Sequence, residues 1–333
     1  MNNSKGRKIK YLVLWCTNKC NLNCSYCYAK DNLGKEDMSF SIAKKAIDIL
    51  EDEGTLILAG GEPLINFKLV KEICTYINKN NKKVKINIQS NGTLINEEIA
   101  KELKKLKVGI GISFDGKPRI NDLNRGCSAK VIKGIENLRE ENILINVNAV
   151  ITKSNVKELS SLVDLAYYLE NVNGIGLDLL RSEDTTLRTT PKEVYKAINE
   201  AYERSIELEK LTGKKVFIRE VEDAKRRIKT SYVSCNYCYA SKGQAAVVIP
   251  NGDMYLCSSL VGKKEYFLGN IEGSYELRAL KDIEFEECKQ CEYYDRCRKI
   301  CPSRGIINNV EGVISKEECA LRKACFSIVE KSC

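Results

Sequence analysis

Three cysteines fall within eight residues, Cys20, Cys24 and Cys27 in the spacing C-x3-C-x2-C, directly after the apolar run Tyr11-Leu12-Val13-Leu14-Trp15. Nine more of the 16 cysteines lie between Cys235 and Cys325. Three thiolates on one short loop can wrap a single metal cluster. Because a 4Fe-4S cube takes four ligands, they leave one iron open to an outside chelator. Taken alone, the same spacing also fits half of a zinc site or part of a two-cluster ferredoxin. With 333 residues the chain is long enough for two domains and for a core that needs no disulfide staples. Clustered cysteines then read as metal ligands in a reducing compartment.

The opening MNNSKGRKIK runs straight into a strand-like segment, without the apolar core and small-residue cleavage site of a secretory signal. No run elsewhere reaches the roughly 20 apolar residues of a membrane span. A cytoplasmic address with no membrane partner is expected.

Over the first half, apolar runs alternate with amphipathic stretches: IKYLVLW, a helix near Ser39 to Glu53, TLILAG, a helix from Asn66, VKINIQS and a helix from Asn96. VGIGISFDG, a helix near Ala129 to Glu141, ILINVNAVI, a helix from Asn155 and GIGLDLLR follow. Near-continuous apolar strands separated by helices imply a parallel sheet covered by helices, since only crossover connections join parallel strands. The expected fold class is α/β, a partial (βα)6 TIM-type barrel over residues 8–190, with chemistry at the C-terminal ends of the strands. A charged helical bridge is expected over 191–234. A cysteine-rich domain follows over 235–333, in which Asn251-Gly252 marks a tight hairpin between AVVI and MYLC.

Each unusual motif follows a strand. Tyr26 stands between the second and third cysteines, and the next strand ends in Gly60-Gly61-Glu62-Pro63. With the cysteine triad, these residues resemble the radical S-adenosylmethionine (SAM) superfamily. The resemblance implies that Cys20, Cys24 and Cys27 hold a 4Fe-4S cluster whose open iron is chelated by SAM. It also implies that Tyr26 lies near the adenine and that Gly60, Gly61 and Glu62 meet the SAM amino group. Glycines allow close backbone approach, and a carboxylate suits an ammonium. Ile112-Ser113-Phe114-Asp115-Gly116 resembles the ISLDG segment of the SPASM branch, which makes Ser113 and Asp115 SAM contacts. Gln89-Ser90-Asn91-Gly92-Thr93 resembles a TNGT turn of that branch with no role assigned. As lone motifs, both also read as plain turns.

The C-terminal array has thirteen residues between Cys238 and Gly252, four between Gly252 and Cys257, then Cys288-x2-Cys291-x5-Cys297-x3-Cys301 and, after a gap, Cys319. The spacing resembles the full SPASM pattern; a pair of zinc ribbons is the alternative. The resemblance implies two auxiliary 4Fe-4S clusters. One takes Cys288, Cys291, Cys297 and Cys319, and the other takes Cys238, Cys257 and Cys301 with Cys235 as the candidate fourth ligand. Three clusters would bring the formal charge of +9 to about +4, which suits a mixed solvated surface and no nucleic-acid partner. Cys16 and Cys74 read as buried small hydrophobes, and Cys325 is a substitute for Cys319 that the gap disfavours. Cys127, in Asn124-Arg125-Gly126-Cys127, is a candidate thiol hydrogen-atom donor, the plainer reading being an inert loop cysteine.

As the resemblance implies, SAM is reduced by one electron to methionine and a 5′-deoxyadenosyl radical that removes a hydrogen atom from substrate. The electron comes from a donor such as flavodoxin or ferredoxin. SPASM enzymes mostly act on peptides or proteins. Sulfatase maturases, which make formylglycine, carry an Asp general base after the cysteine of G-x4-C and a Gln before GGEP. Here those positions hold Ser258 and Ala59, and the chain has no His. Gly252-Asp253-Met254-Tyr255-Leu256-Cys257 through Gly262, with Phe267-Leu268-Gly269-Asn270-Ile271, resembles clostridial Cys-rich peptide maturases. The expected substrate is therefore a Cys-rich peptide with a leader, and the expected product a thioether. Sulfatase-maturase-like oxidation of Cys or Ser to formylglycine, epimerisation, carbon-carbon crosslinking and a non-catalytic electron-transfer role stand as alternatives. Leader recognition falls to a separate protein or to the basic stretch Lys225, Arg226, Arg227 and Lys229.

Overall fold

The computed structural model describes residues 8–230, 237–310 and 312–332. The chain forms two compact units and crosses between them repeatedly. The first gathers the described residues up to Asn23, Cys27–Gly111 and Cys238–Lys281; the second gathers Cys24–Tyr26, the described residues from Ile112 to Tyr237, and those from Asp282.

The first unit opens with β1 (Ile9–Trp15), α1 (Phe40–Asp48), β2 (Leu50–Ala59), α2 (Phe67–Lys79), β3 (Lys85–Ser90) and α3 (Glu97–Leu106). Then β4 (Gly109–Ser113) carries the chain out of it. The pairing is parallel: β1 runs beside β2 with Leu12 opposite Leu56, and β2 beside β3 with Leu58 opposite Ile88. These aliphatics are buried, as the continuous apolar runs require of strands covered on both faces. The helix expected to reach Glu53 stops at Asp48, because Leu50 begins β2 and Glu53 adopts a positive φ of 62° that no helix continues.

Ser39 and Asn96 cap their helices as expected, accepting from the backbone N–H of Ile42 at 3.3 Å and of Ile99 at 2.8 Å. Asn66 precedes α2 without capping it. Its amide instead donates to the carbonyls of Cys16 at 2.9 Å and Met38 at 3.3 Å, which fastens the end of β1 to the start of α1.

In the second unit come α4 (Pro118–Asn124), α5 (Ser128–Glu140), β5 (Ile145–Ile151), α6 (Leu159–Tyr168) and β6 (Val172–Leu179). They are followed by α7 (Pro191–Thr212), β7 (Phe217–Ile218) and α8 (Arg219–Thr230). Strands β5, β6 and β7 are again parallel neighbours. Helix α7 starts with a capping box, Thr190 with Glu193, around Pro191 and ends at Gly213 in the left-handed conformation. The basic stretch of α8 is largely neutralised: Arg227 is buried against Asp223 at 3.1 Å and donates to the Arg296 carbonyl, and Arg226 pairs with the same Asp223. Arg226 and Lys229 remain exposed, so the expected four-residue basic surface is smaller than the sequence suggested.

The chain then returns to the first unit as β8 (Ala245–Val248), β9 (Asp253–Tyr255) and β10 (Phe267–Asn270). The Asn251-Gly252 hairpin is present, with Gly252 at φ 87°. Its first strand, whose four residues are all buried, pairs in parallel with β1, Tyr11 opposite Ala245. In the second unit lie α9 (Glu286–Lys289), α10 (Pro302–Ile307) and α11 (Lys316–Lys331), the last capped by Ser315 and packed on α7 and α8. The Tyr293 ring stacks on Phe326 of α11 at 4.7 Å, and its hydroxyl donates to Glu330. Among the described residues no helix is long and apolar enough to cross a membrane.

Replacing Asn66 with Ala leaves two carbonyls without their donor. Asn66→Ala is expected to lower unfolding free energy by about 1–3 kcal/mol, measured by urea denaturation, where loss of a mere helix cap would cost less.

Candidate active site

The cysteine loop begins where β1 ends. Thr17 donates through its hydroxyl to Asp37 at 2.6 Å, and the Lys19 ammonium pairs with the other oxygen of Asp37 at 2.6 Å. From the end of β2, the Gly61 N–H donates to the Thr17 carbonyl at 3.0 Å and the Glu62 N–H to the Lys19 carbonyl at 2.8 Å. A Cβ on Gly60, at φ 133°, would stand 2.4 Å from the Thr17 carbonyl oxygen; one on Gly61 would stand 2.1 Å from that of Lys19. The glycine pair is therefore required here for the approach of the β2 turn to the chain's own cysteine loop.

Glu62 is fully buried and turned toward protein. Its carboxylate accepts from the Leu64 N–H at 3.1 Å, the Ser90 hydroxyl at 2.8 Å and the Asn91 N–H at 2.7 Å. The Gln89–Thr93 turn, unassigned from sequence, completes the fastening: the Asn91 side-chain amide donates to Asn21 Oδ1 at 2.9 Å and the Asn21 side-chain amide donates to Thr93 Oγ1 at 2.7 Å. Two strand-end turns thus grip the cysteine loop from β2 and from β3. Burial pushes the Glu62 carboxyl up to about 7 despite these donors.

In the second unit, the Tyr26 hydroxyl donates to Asp115 Oδ2. Asp115, fully buried at the end of β4, also accepts from the Val150 N–H at 3.0 Å and the Asn124 amide at 3.3 Å, and is ion-paired with Arg125 Nε at 3.1 Å. The Arg125 guanidinium lies over the Tyr26 ring, 5.2 Å from its centroid. Burial raises the Tyr26 hydroxyl well above the usual tyrosine range. Ser113 is half-buried on the same strand end. Arg125 and Asn124 were missed as site residues; their signal was only their place in the loop holding Cys127. Cys127 itself is exposed, at φ 56° before α5.

None of the described cysteines is in a disulfide. Cys20 and Cys27 are close enough to interact, and burial, then Glu62 and Cys27, raise the Cys20 thiol. In the second unit Cys288 is raised by burial and by Cys297, Cys319 and Cys291; Cys319 in turn feels Cys291 and Cys297. Cys288 thus lies near Cys291, Cys297 and Cys319, and Cys319 near Cys291 and Cys297. No group tight enough to hold a single metal ion occurs among the described residues. Cys301 is buried, with Ser303 Oγ at 3.2 Å and Arg181 Nη2 at 3.7 Å from its sulfur. Arg304 joins Asp178 at 2.6 Å to the buried Glu318 of α11. Asp178 is held below the usual carboxylate range: burial opposes this, but Arg181 and Arg304 outweigh it.

Cys238 is exposed and Cys257 half-buried, while Cys235 lies outside the described residues. Cys16 and Cys74 are fully buried, their thiols raised by burial to about 12 and about 11. Cys325 is buried within α11, and the thiol beside Cys291 and Cys297 is that of Cys319.

The raised Glu62 carboxyl has a consequence for stability. Between about pH 4.5 and 7 the folded protein keeps a proton that the unfolded chain has released, so this group costs stability as pH rises through that window. Glu62→Gln is expected to lessen the fall in unfolding free energy across the window by about 2 kcal/mol, read from denaturation at both pH values. An unchanged fall would show that the carboxyl is not buried in solution.

Comparison with known proteins agrees with this arrangement. Residues 16–166 match the Radical SAM superfamily. An uncharacterised protein of Methanocaldococcus jannaschii is 34% identical over 299 residues, 86% of this chain and 96% of that protein. The cysteine-type anaerobic sulfatase-maturating enzyme of Clostridium novyi is 24% identical over 340 residues, 89% of this chain and 88% of that protein. The solved structure of native anSMEcpe with bound AdoMet and Cp18Cys peptide superposes with a TM-score of 0.80 at 23% identity, covering 98% of this chain and 97% of that one. That likeness shows the fold class, an α/β partial barrel with a C-terminal extension. The chain belongs to the radical SAM superfamily, whose members are enzymes that use SAM with a 4Fe-4S cluster.

Proposed function

We propose that this enzyme is a peptide maturase that joins a cysteine sulfur to carbon within a ribosomally made peptide. Cys20, Cys24 and Cys27 would hold the SAM cluster: none of the three is in a disulfide, and they lie on one loop braced by both neighbouring strand-end turns. When bound, the cluster and SAM supply hydrogen-atom abstraction from an unactivated carbon. The residues of the chain orient and shield that chemistry. Gly60 and Gly61 let the β2 turn close on the cysteine loop, and Glu62 locks that turn to β3. Asp115 fixes Tyr26, the residue read as lying near the adenine, and Ser113 is the half-buried polar group of the same strand end.

Cys288, Cys291, Cys297 and Cys319 would hold one auxiliary 4Fe-4S cluster, supported by the proximity of Cys288 to the other three. Cys238, Cys257 and Cys301 would serve a second, with Cys235 or an open iron completing it. A thioether takes one hydrogen atom from carbon and one proton from sulfur, and leaves one electron for an acceptor, a role that auxiliary clusters can fill. An electron donor such as flavodoxin or ferredoxin and a separate leader-binding protein belong to the same proposal.

The observation that carries the peptide-crosslinking reading is Ser258, which follows Cys257 where sulfatase maturases place a general base. A hydroxyl begins the turn there, and the chain has no His to replace an acid. The relationship to the Clostridium novyi enzyme supports a peptide or protein substrate and keeps formylglycine formation as the second reading.

Anaerobically reconstituted enzyme, supplied with reductant, SAM and a Cys-rich leader peptide, is expected to lighten the peptide by about two hydrogens per crosslink and to consume one thiol each time. Loss of mass without loss of a thiol would point to carbon-carbon bonds, and an unchanged mass to epimerisation. Iron content is expected near twelve per chain, falling to about eight when Cys20, Cys24 and Cys27 are all Ala. Four irons, or zinc, would end the three-cluster assignment.

A further inference from the structure

We infer that Arg125 is a positioning residue for SAM binding, acting through the Tyr26 ring and not by touching the reacting atoms. The inference rests on the reading of Tyr26 as a SAM contact. Arg125 and Tyr26 converge on one atom: Asp115 Oδ2 takes the tyrosine hydroxyl and the ion pair from Arg125 Nε. The guanidinium also lies over the ring, at 5.2 Å, so the tyrosine is held at its hydroxyl and on one face by the same side-chain pair. Only 11% of the Arg125 side chain is exposed, which makes a purely solubilising role untenable.

The end of α4 is built to keep the arginine there. The Asn121 side chain accepts from the Asp115 N–H at 3.2 Å and donates to the Gly126 carbonyl at 3.2 Å, bracketing Arg125. Asn124 bonds Asp115, receives the Ser154 hydroxyl at 2.8 Å, and through its carbonyl takes the Ser25 N–H at 2.9 Å. The segment before Tyr26 and the face of its ring are thereby referenced to the same stretch, the end of α4 and the Arg125-Gly126 turn that follows it. A flat ligand then meets a ring whose orientation is already set, and its binding does not have to order that ring. A lysine would keep the charge and lose the planar cover.

Anaerobically reconstituted holoenzyme, with SAM itself as the ligand, tests this. Arg125→Lys keeps the charge; the pair Asp115→Asn/Arg125→Gln removes both charges together, so that neither is buried alone. Both are expected to weaken the SAM dissociation constant about tenfold, with iron content and the electron paramagnetic resonance spectrum of the reduced, SAM-free cluster as in wild type. Wild-type affinity in Arg125→Lys, or in the charge-balanced double variant, would overturn the inference, because Arg125 would then be only the counter-ion of Asp115. Loss of iron in both variants would overturn it as well, assigning the arginine to the folding of the cysteine loop. Tyr26→Ala separates the inference from the reading beneath it. Unchanged SAM affinity in that variant removes Tyr26 as a SAM contact, whereas weakened binding there beside wild-type binding in the Arg125 variants sinks the arginine's role alone.

Discussion

The contact on which the placement of the cysteine loop depends is backbone against backbone. Gly60 and Gly61 bring the end of β2 so near Thr17, Lys19 and Cys20 that no side chain fits between, and the Gly61 and Glu62 N–H groups then satisfy loop carbonyls. A three-cysteine loop has little apolar surface of its own, so hydrogen bonds and van der Waals contact must hold it. Asp37, Asn66 and Asn91 add side-chain ties from three different elements. The loop is thus specified from its surroundings more than from its own sequence.

Two carboxylates that the motifs assign to ligand contact are both fully buried and satisfied by protein groups, Glu62 by three donors and Asp115 by three donors and the ion pair with Arg125. Buried charge is costly unless so satisfied, and once satisfied it rigidifies what surrounds it. Glu62 joins two strand-end turns; Asp115 orients an aromatic ring through Tyr26 and a cation through Arg125. Fixed geometry is what a radical reaction requires of its site, and both carboxylates fix protein segments that the motifs assign to it.

The strand and helix alternation was legible because parallel buried strands read as unbroken apolar runs and their helices as amphipathic ones. The end of α1 was not, since Leu50–Gly54 carries acidic residues that suit a helix as well as a strand, and only pairing of β2 decides between them. The cysteine, glycine and aromatic motifs were legible as local spacing. Their partners were not: Asn21, Asn66, Arg125 and Arg304 act across long sequence separations, and a lone Asn or Arg carries no periodic signal. Asn155 shows the same limit. It was read as a helix start, yet its side chain accepts from the Thr152 N–H and donates to the carbonyls of Asp115 and Val150.

The pairing of β8 with β1 sets Tyr11 opposite Ala245, so β1 is completed by a segment that is synthesised far downstream of it. Until that segment emerges, roughly 10 to 50 seconds later at ordinary synthesis rates, one edge of β1 has no native partner. During this interval the nascent chain presents an unpaired apolar strand edge beside reactive thiols, the two features that most invite intermolecular association and oxidation.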